Sequence, residues 1–239
     1  MKKILLGTVA VFALGVTSAS AADLAARPYT KAPPMMAAIY DWTGFYIGAN
    51  GGGGWGRDRL SQATGVLNID PSGGFAGGQI GYNWQHGAWV LGVEADGDWA
   101  DINGSSACGV GFACSSKTNA LASFRGRIGY AVNNVLFYGT GGAGYASTRD
   151  SILTAAGAPV AGATGVFNSD RWGYAAGAGI EWGFNPNWTA KVEYMHYGLG
   201  TETAPAGTID VVPTNSRLNV DTVKVGVNYR WGGPAIAKY

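Results

Sequence analysis

Residues 120–145, ALASFRGRIGYAVNNVLFYGTGGAGY, constrain the fold more than any other stretch. Taken in steps of two, Ala120, Ala122, Phe124, Gly126, Ile128, Tyr130 and Val132 are apolar or glycine. The residues between them include Ser123, Arg125, Arg127 and Gly129. Period-two alternation of this length predicts a strand with two unlike faces. Asn133-Asn134 then turns the chain, because asparagine tolerates the positive φ of a two-residue hairpin turn. The return strand repeats the pattern, with Val135, Phe137, Gly139, Gly141, Ala143 and Tyr145 on one face and Tyr138, Thr140, Gly142 and Gly144 on the other. The bulky apolar face carries aromatics, and the opposite face carries arginines and glycines. About ten residues at roughly 3.3 Å each, tilted by about 45°, match the apolar height of an outer membrane. The hairpin predicts two staves of a membrane barrel, apolar side to lipid and charged side to the lumen.

The same alternation places further strands at residues 42–55, 74–85, 88–101, 171–183, 188–198 and 217–231. With the hairpin this gives an all-β, eight-stranded antiparallel up-and-down transmembrane barrel. The connections at His86-Gly87, Asn133-Asn134 and Asn185-Pro186-Asn187 are short. Those at 57–72, 102–118, 148–170 and 199–216 are long, which is the asymmetry of periplasmic turns and extracellular loops. Trp42, Trp84, Trp89, Trp182, Trp188 and Trp231 fall at the periplasmic strand ends, and Trp55, Trp99 and Trp172 at the outer ends. This is the arrangement of two interfacial girdles. A soluble barrel would carry the same alternation with its charges outside. The tryptophans and the run of outward valines from Val223 to Trp231 favour the membrane.

The chain opens with Met1-Lys2-Lys3, an apolar run and an A-x-A site, so residues 1–21 predict a cleaved signal peptide. Residues 22–41 are rich in alanine and proline and predict a flexible periplasmic segment. The barrel occupies 42–231, and 232–239 form a periplasmic tail. Removing Lys2 and Lys3 from 16 basic residues leaves 14 against 15 acidic ones, far from the basic balance that a nucleic-acid partner would need.

As a set, the motifs WTGFYIGANGG (42–52), GGFAGGQIGYNWQ (73–85), SFRGRIGYA with FYGTGGAGY, WGYAAGAGIEW (172–182), WTAKVEYMHYGLG (188–200) and VKVGVNYRW (223–231) resemble the outer-membrane immunogenic, porin-like proteins of alphaproteobacteria, with an OmpA-like eight-stranded barrel. The resemblance covers essentially the whole mature chain. It implies an abundant, surface-exposed protein of the Gram-negative outer membrane, inserted by the barrel-assembly machinery. The aromatic that ends the last strand in such proteins is Trp231 here, and residues 232–239 follow it.

Ten lumenal charges predict a network: Glu94, Asp96, Asp98, Glu181 and Glu193 against Arg125, Arg127, Lys191, Lys224 and Arg230. An eight-stranded interior is just wide enough for side chains to fill, and buried charges must be paired. The first reading is therefore a filled barrel with a structural and surface-antigen role. The second is a narrow porin for small hydrophilic solutes, singly or as a homo-oligomer. The third is a lipid-modifying enzyme, for which His196 is the candidate. No serine stands two residues from His196, and an interfacial histidine near headgroups accounts for it equally well. Cys108 and Cys114, six apart in an exported chain, predict a disulfide. No histidine or third cysteine stands near them for a metal. The runs Gly51–Gly54 and Gly139–Gly144 lack the Lys-Ser/Thr of a phosphate loop, so neither metal nor cofactor is expected. Membrane lipid and lipopolysaccharide are the expected surroundings.

Overall fold

The computed structural model describes residues 40–231 apart from residues 63–64, 110, 155, 159–160, 162–164 and 208–212. The predicted signal peptide (1–21), most of the segment after it and the tail (232–239) lie outside the described residues. Nine strands form one antiparallel sheet: β1 (Gly44–Gln62), β2 (Gly65–Ile69), β3 (Ser72–His86), β4 (Trp89–Gly109), β5 (Phe112–Val132), β6 (Val135–Thr154), β7 (Val166–Asn185), β8 (Trp188–Ala204) and β9 (Thr214–Trp231). β1 also pairs with β9, from Phe45↔Trp231 to Ser61↔Asn215, so eight strands close into a ring. β2 stands outside that ring, paired only to the outer end of β1.

The alternation sets the register. Each pairing puts apolar side chains outward at Phe45, Ile47, Ile80, Leu91, Phe124, Ile128, Phe137, Ile180, Val192 and Val225, all exposed. Their neighbours along each strand point into a lumen where they are buried. The 120–145 stretch forms the β5–β6 hairpin as expected, with Val132 opposite Val135 and Asn133 at φ 54°. Gly87, at φ 61°, makes the equivalent turn between β3 and β4.

The long outer connections differ from expectation. Residues 57–62 continue β1 and residues 65–69 fold back on it, where a polar loop was expected. β4 runs to Gly109, and Gly109 pairs with Phe112, so the expected loop at 102–118 is mostly hairpin. β6 and β7 extend to Thr154 and from Val166, and β8 and β9 extend to Ala204 and from Thr214. The cause is physical. Above the membrane the outward positions no longer need apolar side chains, so the sequence alternation fades. The backbone ladder still propagates from strands already paired below. Ring strands of 15 to 21 residues therefore outlast the 9–11 or so that a tilted membrane strand needs.

Eight of the nine tryptophans stand outward and exposed at strand ends: Trp55, Trp84, Trp89, Trp99, Trp172, Trp182, Trp188 and Trp231. Trp42 corrects the girdle prediction. It precedes β1, is fully buried, and packs inside the barrel's periplasmic end with Tyr40, Val90, Leu136 and Tyr138. Tyr40 and Asp41 are likewise tied down, although they close the segment expected to be flexible. The indole of Trp42 and the ring of Tyr40 face a lumenal arginine, and that contact outweighs an interfacial position.

Candidate functional site

The site is the lumen, and it is built in layers. At the periplasmic end Tyr40 and Trp42 pack with tilted rings, centroids 4.8 Å apart. The Arg230 guanidinium lies over both rings, at 5.1 and 5.3 Å. Arg230 also donates to the carbonyls of Asp41 (2.7 Å) and Thr43 (3.4 Å). The Trp42 amide donates to Gln85 Oε1. Arg230 was expected in the charge network. Among the described residues it makes no ion pair, and it holds the entering chain across the barrel mouth instead.

Above this plug lies the network. β4 and β5 present Glu94 opposite Arg125 and Asp96 opposite Ser123. Arg125 donates to Glu94 (2.7 Å), Asp96 (2.5 Å) and Glu193 (3.0 Å), which joins β4, β5 and β8. Arg127 donates to Glu181 on β7 at 2.7 Å and lies 3.7 Å from Glu94. Lys191 reaches across the barrel to both oxygens of Glu94. Lys224 on β9 lies 3.4 Å from Asp96 and 3.3 Å from Asp98. All these side chains are buried. Nine of the ten predicted charges thus meet in one connected set, with five carboxylates against four cations.

Neutral groups that sequence reasoning did not single out complete the set. Tyr46 Oη donates to Glu94 (2.7 Å) and accepts from Arg127 (3.1 Å). Tyr138 Oη donates to Glu193 at 2.8 Å, while the Arg127 guanidinium lies 3.9 Å from the centre of its ring. Thr189 and Asn228 donate to Glu181, and Ser123 donates to Asp96. Gln79 links Asn50 to Asn228. The signal for the tyrosines was available. Tyr46 and Tyr138 are the bulky members of inward faces otherwise rich in glycine, and they lie over Gly81 and Gly179 on neighbouring strands.

A second, apolar layer closes the lumen above the charges: Phe75, Ile102, Leu121, Tyr197, Leu199, Leu218 and Val220. Beyond it, in the extension past the membrane, Arg171 donates to Asp150 (2.7 Å) and to Ser216 Oγ (2.8 Å). Ser216 in turn donates to Asp58, and Ser116 donates to Asp150. Burial and the nearby Asp58 carboxylate raise the Asp150 carboxyl to about 6, against the pull of Arg171. Ile69, Cys114, Ile152 and Ala204 cap this cluster. Cys108 sits at a bulge between the Ala107 and Gly109 pairings, with its side chain outside the described atoms. His196 faces outward beside Asp221, with Nδ1 and Oδ1 2.8 Å apart, and Tyr194 Oη donates to the same carboxylate.

This arrangement pairs its charges internally, with one carboxylate in excess. Apolar or aromatic layers bound the charged layer on both sides, and Arg125, Arg127 and Glu94 each bind groups from more than one strand. It can tie the staves of a barrel together across the lumen.

Residues 8–230 match the outer membrane protein beta-barrel domain family. The chain is 32% identical over 247 residues to the 31 kDa outer-membrane immunogenic protein of Brucella melitensis, which covers 97% of this chain and 100% of that protein. It is 27% identical over 237 residues to the 25 kDa outer-membrane immunogenic protein of Brucella abortus, covering 97% and 99%. Among solved structures, the outer membrane protein OprG from Pseudomonas aeruginosa superposes with a TM-score of 0.51 at 13% identity, over 81% of this chain and 100% of that one.

Proposed function

Because the chain belongs to the outer membrane protein beta-barrel family, we propose that its barrel is a closed anchor with a structural, non-enzymatic role, which holds extended hairpins at the cell surface. The observation that carries this reading is the buried network on Arg125, bounded by the Trp42 and Leu121 layers. Small barrels fill their interiors, and this one fills with groups that pair one another. The surface-antigen part rests on the outer halves of β1, β4 to β9, which rise beyond Trp55, Trp99 and Trp172, and on relatives named as immunogenic proteins.

Three finer features belong to the same reading. Residues 1–21 act as a cleaved export leader. Cys108 and Cys114 are joined, which pins the tip of the β4–β5 hairpin; among the described residues no cysteine is free. The His196–Asp221 pair serves the membrane interface rather than catalysis.

Planar-bilayer recording tests the sealed lumen. The full chain, refolded in detergent and verified by far-UV circular dichroism, is expected to give no discrete conductance. Reproducible single-channel steps from the wild-type protein would overturn the reading in favour of a diffusion pore.

A further inference from the structure

Beyond the outer girdle, the outward faces of β1 and β9 carry Arg57, Arg59 and Arg217, all exposed. Arg59 and Arg217 stand directly opposite each other in the β1–β9 register. Like charges placed opposite on antiparallel strands repel and weaken the pairing. Arg57 has Asp70 at 4.0 Å, with both side chains mostly in water, a contact worth little. Among the described residues Arg59 and Arg217 join no ion pair. Three acids of the same collar are engaged elsewhere. Asp221 takes Tyr194 and His196, Asp101 takes Lys117 at 2.9 Å, and Asp170 takes Tyr145.

Height adds a second observation. Trp55, at the outer interface, lies two and four residues before Arg57 and Arg59 on the same face of β1. At about 3.3 Å per residue and a tilt of about 45°, the arginine Cα atoms lie roughly 5 and 9 Å above it. Interfacial tryptophans mark the headgroup level. The arginine side chains therefore end where the phosphates of the outer leaflet lie.

We propose that Arg59 and Arg217, with Arg57 beside them, form a clasp for a phosphate group of the phosphorylated glycolipid in the outer leaflet. Two guanidinium forks offer parallel donors that match phosphate oxygens, and a phosphate between them turns a repulsive cross-strand pair into a bridged one. The glycolipid would also seal the β1–β9 seam, where the ring closes. The proposal rests on the outer-membrane placement and is independent of whether the lumen conducts.

The test uses the full chain refolded in zwitterionic micelles and titrated with bis-phosphorylated lipid A, followed by tryptophan fluorescence. The expected result is saturable binding that weakens tenfold or more in Arg59→Ser/Arg217→Ser and is unchanged in Arg149→Ser, an exposed arginine of β6 away from the β1–β9 seam. Lipid A stripped of phosphate should bind wild type and double variant alike. Three outcomes overturn the clasp: equal binding of bis-phosphorylated lipid A by wild type and double variant, a full wild-type advantage toward the dephosphorylated lipid, or equal competition by inorganic phosphate at matched concentration, which would make it a free-anion site. Each variant is checked for native circular dichroism and for the same bilayer conductance as wild type. A protein that binds and conducts sinks the sealed lumen alone, and one that is silent and does not bind sinks the clasp alone.

Discussion

Arg125 shows what the lumen asks of one residue. Its guanidinium serves three carboxylates from three directions and is fully buried. Arg125→Met keeps the volume but leaves Glu94, Asp96 and Glu193 short of a cation. Removing one partner of a buried pair costs about 3–5 kcal/mol, because the charge left behind is uncompensated. Urea unfolding in micelles should show a loss of that order. Arg125→Lys should recover only part of it, since an ammonium cannot present the planar fork. Asp150 makes the opposite case. Its carboxyl is raised to about 6 in the folded extension, above the ordinary aspartate value of 3.8, by burial and by Asp58. A group raised on folding stabilises the fold fully below its unfolded value, and that contribution is lost as pH rises through the folded one. The outer ends of β6 and β7 should therefore be better protected at pH 5 than at pH 8, in amide-exchange protection factors corrected for intrinsic rates. Asp150→Asn, which keeps an acceptor for Arg171, should flatten that dependence.

Elements carry the next level of argument through close approaches between neighbouring strands. A Cβ built on Gly179 of β7 would stand 2.6 Å from the Tyr138 hydroxyl of β6, so the glycine makes room for the tyrosine. Gly179→Ala should displace Tyr138, break its bond to Glu193 and loosen its contact with Arg127. The expected result is a lower unfolding midpoint with an unchanged strand content by circular dichroism. Gly97→Ala, whose Cβ meets nothing within 4 Å, is the matched control and should be near neutral. The strands themselves were legible because lipid on one side and a packed lumen on the other impose strict alternation, as in Phe124, Arg125, Gly126 and Arg127. Which charges face inward was legible for the same reason; the pairing was legible only in part, since Glu94 stands opposite Arg125 but Asp96 stands opposite Ser123 and Arg127 opposite Gly92. What was not legible lacks that constraint. The extensions of β4 and β5 past Trp99 meet water outside, so residues 102–109 carry no alternation to read. Trp42 and Arg230 looked like a girdle residue and a network residue. Only the folded chain shows that residues 40–42 enter the lumen and that an arginine holds them there. Asp58 on β1 is far along the chain from Asp150 and Arg171 on the neighbouring strands β6 and β7, and no spacing in the sequence joins the three.

At the scale of the whole molecule, the layers decide what it would take to make this barrel conduct. The charged layer is bounded below by Tyr40 and Trp42 under Arg230, and above by Leu121, Leu199 and Val220 with their neighbours. Either boundary alone blocks a continuous water path through the low-dielectric middle, where unpaired ions are costly. A single opened boundary should therefore leave the protein silent in planar bilayers. Tyr40→Ala/Trp42→Ala should be silent, and so should Leu121→Ala/Leu199→Ala/Val220→Ala. Combining both sets should let water reach the network from each side and give discrete steps. The sign of the selectivity follows from the charges. Glu94, Asp96, Asp98, Glu181 and Glu193 outnumber Arg125, Arg127, Lys191 and Lys224, because Arg230 stands outside the paired set. Reversal potentials under a salt gradient should then show preference for cations. Lys224→Met added to the combined variant should strengthen it, since that removes the cation paired with Asp98 and one of the two paired with Asp96. Steps from either partial variant would mean that one layer alone holds the seal. Anion preference in the combined variant would mean that the carboxylates do not line the opened path.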